Sequence, residues 1–400
     1  MTIPPSAQRP AIPRTVWVLG LVSFFMDVSS EMIHALLPLF LTLGLGASLA
    51  LVGLIEGVAE AAASIAKLFS GYLSDRIHRR KPLILLGYGL AALSKPLFAL
   101  AGAPSTVFAA RIADRVGKGV RGAPRDALVA DVTPASIRGR AYGVRQALDT
   151  VGAFTGPLIA IGLMAIFAND MRTVFWFAVI PAAFAVVCVL LGVEERVASA
   201  EEKLLRPPIR AADLRRLDVA FWAVVAIAVV FTLARFSEAF LVLKANAEGL
   251  PLSLSPLVLI AMNIVYSLGA YPAGAWSDHA PPAVLMLWGL AALAAADLIL
   301  AFVPGVMGAF AGIMLWGTHM ALTQGLLAKL VAQRAPADLR GSAFGLFNLA
   351  TGVTMIPASL MAGLLWQYRG PAATFLTSAA FAVLAAVLSL CALRAPRPKI

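Results

Sequence analysis

Charge is scarce in this chain of 400 residues. Asp, Glu, Lys and Arg make up 13% of it and hydrophobic residues 60%, with a mean hydropathy of +0.86. An ordinary soluble domain carries about a quarter charged residues, so that class is excluded. Cysteine is nearly absent. Cys188 and Cys391 both fall within apolar runs, which indicates neither a disulfide framework nor a cysteine metal site. Histidine is rare too: His34, His78, His279 and His319 lie on separate segments, and no two have the i, i+4 spacing of a helical metal pair. A nucleophile elbow is also missing, so a membrane enzyme is poorly supported and no cofactor is expected. Acidic residues are the minority charge, 21 against 32 basic, giving a formal net charge of +11. A basic excess can signal nucleic acid. Here the bases cluster between apolar runs, the positive-inside pattern of a polytopic membrane protein, so the expected partners are the lipid bilayer and a small-molecule solute.

Membrane-length apolar runs are abundant. Twelve spans are expected, at 15–43, 48–73, 82–101, 105–130, 141–167, 172–192, 219–243, 252–276, 281–302, 306–331, 342–366 and 371–393. The Pro-rich lead before residue 15 is followed by no short apolar core with a small-residue cleavage site, so 15–43 reads as a retained first span. Bases at Arg76, Arg79, Arg80 and Lys81, at Arg138 and Arg140, and from Arg196 to Arg216 occupy alternate loops. That asymmetry predicts a multi-pass protein with both termini cytoplasmic. The polar stretch 194–217, with Pro207-Pro208, divides the chain into six-span units at 1–193 and 218–400.

The fourth span breaks the apolar pattern. It carries Arg111, Asp114, Arg115, Lys118, Arg121, Arg125 and Asp126, which on a helix fall within an arc of about 140°. From Arg111 to Arg125 the stripe is about 21 Å long, most of a hydrocarbon core of about 30 Å. Each charge costs about 2.5 to 3.5 kcal/mol at the bilayer centre unless paired or wetted, so the stripe must face helices or a polar cavity. Arg111, Arg115 and Lys118 lie deepest and are the basic ligand candidates. Asp114 has three bases of its own helix within one turn and is expected to pair with Arg111, Arg115 or Lys118. Lys118 stands between Gly117 and Gly119, but with no strand before it a nucleotide loop is rejected.

Other intramembrane charges gather in the same half. Asp27, Glu31 and His34 share a face of span 1, Glu56, Glu60 and Lys67 a face of span 2, and Arg145 and Asp149 are i, i+4 on span 5. The second half has fewer, chiefly Arg235 and Glu238 on span 7 and Asp297 on span 9. Span 10 offers Trp316, His319, Thr323 and Gln324. Candidate solute ligands are therefore Asp27, Glu31, His34, Arg111, Arg115, Lys118, Glu238, His319 and Gln324. Proton-coupling candidates are Asp27, Glu31 and Asp149.

The two halves are copies. At an offset of 202, Pro134-Ala-Ser-Ile-Arg138-Gly139-Arg-Ala141-Tyr-Gly143 aligns with Pro336-Ala-Asp-Leu-Arg340-Gly341-Ser-Ala343-Phe-Gly345, and Gly71-Tyr-Leu-Ser-Asp75 aligns nearby with Gly274-Ala-Trp-Ser-Asp278. Duplicated six-span units imply a pseudo-two-fold bundle with its site between the halves. Gly71-Tyr-Leu-Ser-Asp75-Arg76-Ile-His78-Arg79-Arg80 resembles the loop 2–3 signature of the major facilitator superfamily, with His78 at a position usually Gly. Gly152-Ala-Phe-Thr-Gly156-Pro157-Leu-Ile-Ala160-Ile161 is similar in part to the signature of that superfamily's antiporters. The resemblance implies an all-α membrane fold of twelve helices in two six-helix bundles. It also implies a conformational latch at Gly71, Asp75, Arg76, Arg79 and Arg80, and close helix packing at Gly152, Gly156 and Pro157.

The expected function is secondary transport by alternating access, in the form of a proton-coupled exporter of small solutes, monomeric and seated in a bacterial inner membrane. The proton gradient would be its energy source. Within the transporter class, the basic stripe leaves open a carrier for organic anions or organophosphates. Asp27, Glu31 and His34 leave open a divalent-metal exporter, although no complete metal site is predicted. Outside that class stands a non-transporting receptor or scaffold.

Overall fold

A computed structural model describes residues 11–77, 79–195, 216–336 and 339–393. The described residues form an all-helical bundle of twelve spans. Span 1 is the helix Arg14–His34, continued by Leu37–Leu39 and a π turn at Phe40–Gly44. Spans 2 to 6 are Leu49–Ile77, Lys81–Leu100, Pro104–Val132, Arg138–Ile166 and Met171–Gly192. Span 7 comprises Val219–Ala234 and Ala239–Ala247. Spans 8 to 12 are Leu257–His279, Pro282–Phe302, Gly305–Arg334, Arg340–Arg369 and Pro371–Leu393.

Eleven of the twelve are long and apolar enough to cross a membrane on those grounds alone. The exception is span 4. Packed against spans 2 and 3, it needs no apolar outer face, because its neighbours cover it. The peripheral spans show the converse, presenting large apolar side chains such as Leu93, Leu191 and Leu268 outward, where lipid replaces water as the solvent.

The duplication read from the sequence reappears in the packing. Span 1 lies against spans 5 and 6, span 4 against 2 and 3, and span 3 against 6. Likewise span 7 lies against 11 and 12, span 10 against 8 and 9, and span 9 against 12. Between the bundles the main contact is span 2 on span 11. It is made by glycines: a Cβ on Gly53 or Gly57 would strike the span 11 backbone at Ser359 or Met355, and a Cβ on Gly363 would strike Leu49. Backbones thus meet directly, the close approach that small residues permit between membrane helices. Further contacts join the bundles at the end away from the basic loops. There Leu37–Leu39 meets the second piece of span 7, and the turn Leu252–Leu254 meets span 5.

Span 7 was expected to be continuous over 219–243, but it breaks at residues 235–238. Arg235-Phe-Ser-Glu238 contains no Pro or Gly to announce a break. Tertiary contacts hold it instead: the Ser237 N–H donates to Ser359 Oγ at 3.2 Å, and the Ser378 hydroxyl donates to the Ala234 carbonyl, which the break leaves free, at 2.5 Å.

Candidate functional site

Much of the charged stripe of span 4 is paired with opposite charges on its neighbours. Arg111 Nη2 donates to Glu56 Oε2 of span 2 at 2.8 Å, with both side chains only 2% exposed. One turn on, Arg115 lies 3.3 Å from Glu60 of the same span. Asp114 does not pair with a base of its own helix, as the spacing suggested. Its partner is Lys95, on span 3, whose Nζ lies 2.7 Å from Asp114 Oδ1 and 2.9 Å from Ser30 Oγ. An i, i+4 or i, i+3 neighbour can be inferred from sequence, whereas a neighbour 19 residues away is fixed only by how spans 3 and 4 cross.

Arg121 and Arg125, farther along span 4, also turn inward. Arg121 is buried with its guanidinium 4.6 Å from the centre of the Tyr88 ring, a cation–π contact. Arg125 donates to Ser23 Oγ at 2.8 Å and lies within 4 Å of Asp126 and Asp149. Arg145 reaches the same two carboxylates at 3.8 Å, closing a four-membered charge cluster between spans 4 and 5.

Against this pairing two groups stand out. Lys118 is exposed, and among the described residues no carboxylate lies within ion-pair distance of it, although Asp27, Glu31 and Glu60 all feel its charge. Asp27 likewise has no cation in contact among the described residues. It faces Asp149 across spans 1 and 5, and the charges of Lys118 and Arg121 act on it. Gly152 makes the approach possible, since a Cβ there would lie 2.6 Å from the Phe24 carbonyl and 3.2 Å from Asp27 Cβ. Gly156 does the same one turn on, against the Val28 carbonyl, and Pro157 is buried beside it. Glu31 meets only His34, at 3.5 Å.

On the side of the last six spans lies a cavity of about 410 Å³. Glu60 of span 2 forms one wall. Opposite it are Phe231 and Arg235 of span 7, Gln324 of span 10, and Phe347 and Asn348 of span 11. With its amide oxygen turned toward Arg235, Gln324 accepts from both terminal guanidinium nitrogens, at 3.0 and 3.2 Å, and its nitrogen donates to the Tyr266 hydroxyl at 3.0 Å. Glu238 also lies 3.5 Å from the Arg235 guanidinium. Gln324 and Glu238 are therefore at the cavity or beside its base, but His319 is not. It is fully buried between Phe231 and Trp316, with neither ring nitrogen hydrogen-bonded.

Around the loop after span 2, Gly71 rests against Ala123, Arg76 and Arg79 are exposed, and Arg80 reaches Asp131 of span 4 at 2.5 Å and Ser74 Oγ at 3.0 Å. Glu195 accepts from the Arg80 backbone N–H. His78 and the side chain of Asp75 lie outside the described residues. In the other bundle Asp278, the copy of Asp75, pairs with Lys329 at 2.8 Å.

A family profile described as Major Facilitator Superfamily matches residues 19–359 and again 264–400. An uncharacterized MFS-type transporter of Methanocaldococcus jannaschii is 29% identical over 385 residues, 95% of either chain. A multidrug resistance protein of Proteus mirabilis, MdtH, is 32% identical over 126 residues, 32% of this chain and 30% of that one. Among solved structures, the nucleoside transporter NupG superposes with a TM-score of 0.78 at 13% identity, covering 96% of this chain and all of that one. Twelve spans in two copied bundles, ion pairs walled inside the first and a cavity between them thus coincide with a match along nearly the whole sequence, and the chain belongs to the Major Facilitator Superfamily of secondary transporters.

Proposed function

We propose that this transporter is a proton-coupled exporter of small organic solutes, and that Asp27 carries the proton. The supporting observation is the contrast between Asp27 and four other acids within the spans of the first bundle. Glu56, Glu60, Asp114 and Asp149 each have a Lys or Arg within 4 Å, whereas Asp27 has only Asp149 opposite. Protonating Asp27 relieves its repulsion with Asp149 and leaves Lys118 the free charge beside it. Releasing the proton restores an anion for Lys118 to attract. Glu31, held to His34, is the second candidate for the same role. Because the pair sits on the glycine contact of spans 1 and 5, a change of its charge acts where those helices touch most closely. The export direction draws on that same glycine pattern and on the partial similarity to a multidrug resistance protein.

An anion carrier is less favoured. The surplus of bases along span 4 that suggested it is largely met by Glu56, Glu60, Asp126 and Asp149; among the described residues only Lys118 and Arg121, the latter stacked on Tyr88, lack a carboxylate. Among the described residues no group of three or more His, Cys, Asp or Glu is placed to hold a metal ion, which removes the support for metal export.

Proteoliposomes with an imposed pH gradient test the reading. Asp27→Asn should abolish gradient-driven accumulation of the solute while solute counterflow without a gradient persists. Intact coupling in Asp27→Asn would refute the role of Asp27, and intact coupling in Glu31→Gln as well would refute that of its alternative.

A further inference from the structure

The cavity between the bundles is bordered by one incompletely satisfied charge of each sign, one from each bundle. Glu60 receives Arg115 at 3.3 Å on Oε1, yet its side chain remains 38% exposed and faces the cavity. Arg235 has Gln324 on its terminal nitrogens and Glu238 at 3.5 Å, and it too is partly exposed on the cavity wall. A guanidinium offers five N–H donors, so these partners do not exhaust it. The Asn348 amide, also on the wall, has no hydrogen-bond partner among the described residues. Phe231, Phe344 and Phe347 supply apolar surface between the polar groups.

We infer that the solute is a small zwitterion with a compact apolar body, its carboxylate on Arg235 and its ammonium on Glu60. The inference rests on reading this cavity as the solute site. A simple anion would find Arg235 but be opposed by Glu60, and a simple cation the reverse, so only a solute bearing both charges gains at both ends. Each of the two border charges already has a partner of opposite sign, so the cavity as a whole is close to neutral and suits a solute of no net charge. Because Glu60 and Arg235 belong to different bundles, such a solute also bridges the two moving parts.

Thermal unfolding of the purified protein tests this without any gradient. The probes are phenylalanine and 4-aminobutyrate, each compared with its methyl ester, which keeps only the cation, and its N-acetyl form, which keeps only the anion. At least one free zwitterion should raise the unfolding midpoint while its two derivatives bind about tenfold to a hundredfold more weakly. Arg235→Gln should erase the preference for the acid over the ester. Glu60→Gln should erase the preference for the amine over the N-acetyl form, and if the uncovered Arg115 prevents folding, Glu60→Gln with Arg115→Gln serves instead. Equal stabilisation of the wild type by an ester or an N-acetyl compound, or no stabilisation by either zwitterion, overturns the inference. Loss of proton coupling in Asp27→Asn is read in a separate flux assay, so the two proposals can fail independently.

Discussion

Lys95 on span 3 and Asp114 on span 4 are joined at 2.7 Å with side chains 1% and 5% exposed, making them an ion pair sealed inside the first bundle. Ser30 of span 1 accepts a second bond from the same ammonium, so three helices meet at one nitrogen. Removing Lys95 alone strands a buried carboxylate. Lys95→Met should therefore destabilise the protein by about 3 to 5 kcal/mol, while Lys95→Met with Asp114→Leu recovers most of the loss. Thermal unfolding in detergent measures both. If Lys95→Met proves harmless, the pair is not what joins these helices.

The contact of span 2 with span 11 yields a steric expectation. A Cβ on Gly53 would run into the Ser359 carbonyl, whereas one on Gly89 meets nothing within 4 Å. Gly53→Ala should cost about 1 to 3 kcal/mol through overpacking and slow transport. Gly89→Ala, on an open helix face, should be neutral or slightly stabilising. Unfolding midpoints of the two variants, measured side by side, decide the matter.

Span 6 begins at a capped helix end outside the membrane segment. Asp170 accepts from the Arg172 N–H at 3.0 Å and the Thr173 hydroxyl at 2.5 Å. The Thr173 bond, ahead of the backbone N–H bonds, holds the Asp170 carboxyl below the usual range. A carboxyl depressed in the folded state contributes stability above its unfolded pKa, near 3.9, and loses that contribution as the pH falls through the folded value. Asp170→Ala should thus cost about 1 kcal/mol at pH 7 and nothing once the wild-type carboxyl is protonated. A pH series of unfolding curves for both proteins gives the answer.

The second bundle holds a different kind of acid. Asp297 is fully buried, and Ser378 Oγ lies 2.6 Å from its Oδ2 and 2.5 Å from the Ala234 carbonyl. One hydroxyl hydrogen cannot serve both oxygens, so with the carbonyl taking it, the second must come from the carboxyl. Asp297→Asn, whose amide also donates, should keep stability close to wild type. Asp297→Ala should lose about 1 to 3 kcal/mol by leaving a cavity and an unmet hydroxyl. Equal loss in both variants would mean that donation is not its role.

Much of this was legible because membrane helices obey length and charge rules strictly. Apolar runs placed the twelve spans, and the i, i+4 spacing of Arg145 and Asp149 gave a contact the structure contains. The duplicated segments announced the copied packing. What escaped was set by helix crossings. Lys95 is a lone base in an apolar run, and nothing local links it to Asp114 or Ser30. The break at 235–238 escaped because Ser359 and Ser378, more than 120 residues away, hold it. The basic stripe was visible, but its balance was not. Whether Glu56 and Glu60 cancelled it depended on which face span 2 turns toward span 4.

The glycine contact between spans 2 and 11 extends from Leu49, beneath Gly363, to Leu68, beneath Gly345. At about 1.5 Å per residue those nineteen steps cover about 29 Å, nearly the whole thickness of a hydrocarbon core. Only from Leu49 to Gly57, about 12 Å of that length, is backbone pressed on backbone so that no crevice is left for an acyl chain; beyond it side chains of Ser64 and Leu68 fill the contact and the cavity begins. On this flank, then, the end of the path away from the basic loops is sealed from the bilayer, and a hydrophobic molecule dissolved in the membrane would have to enter elsewhere.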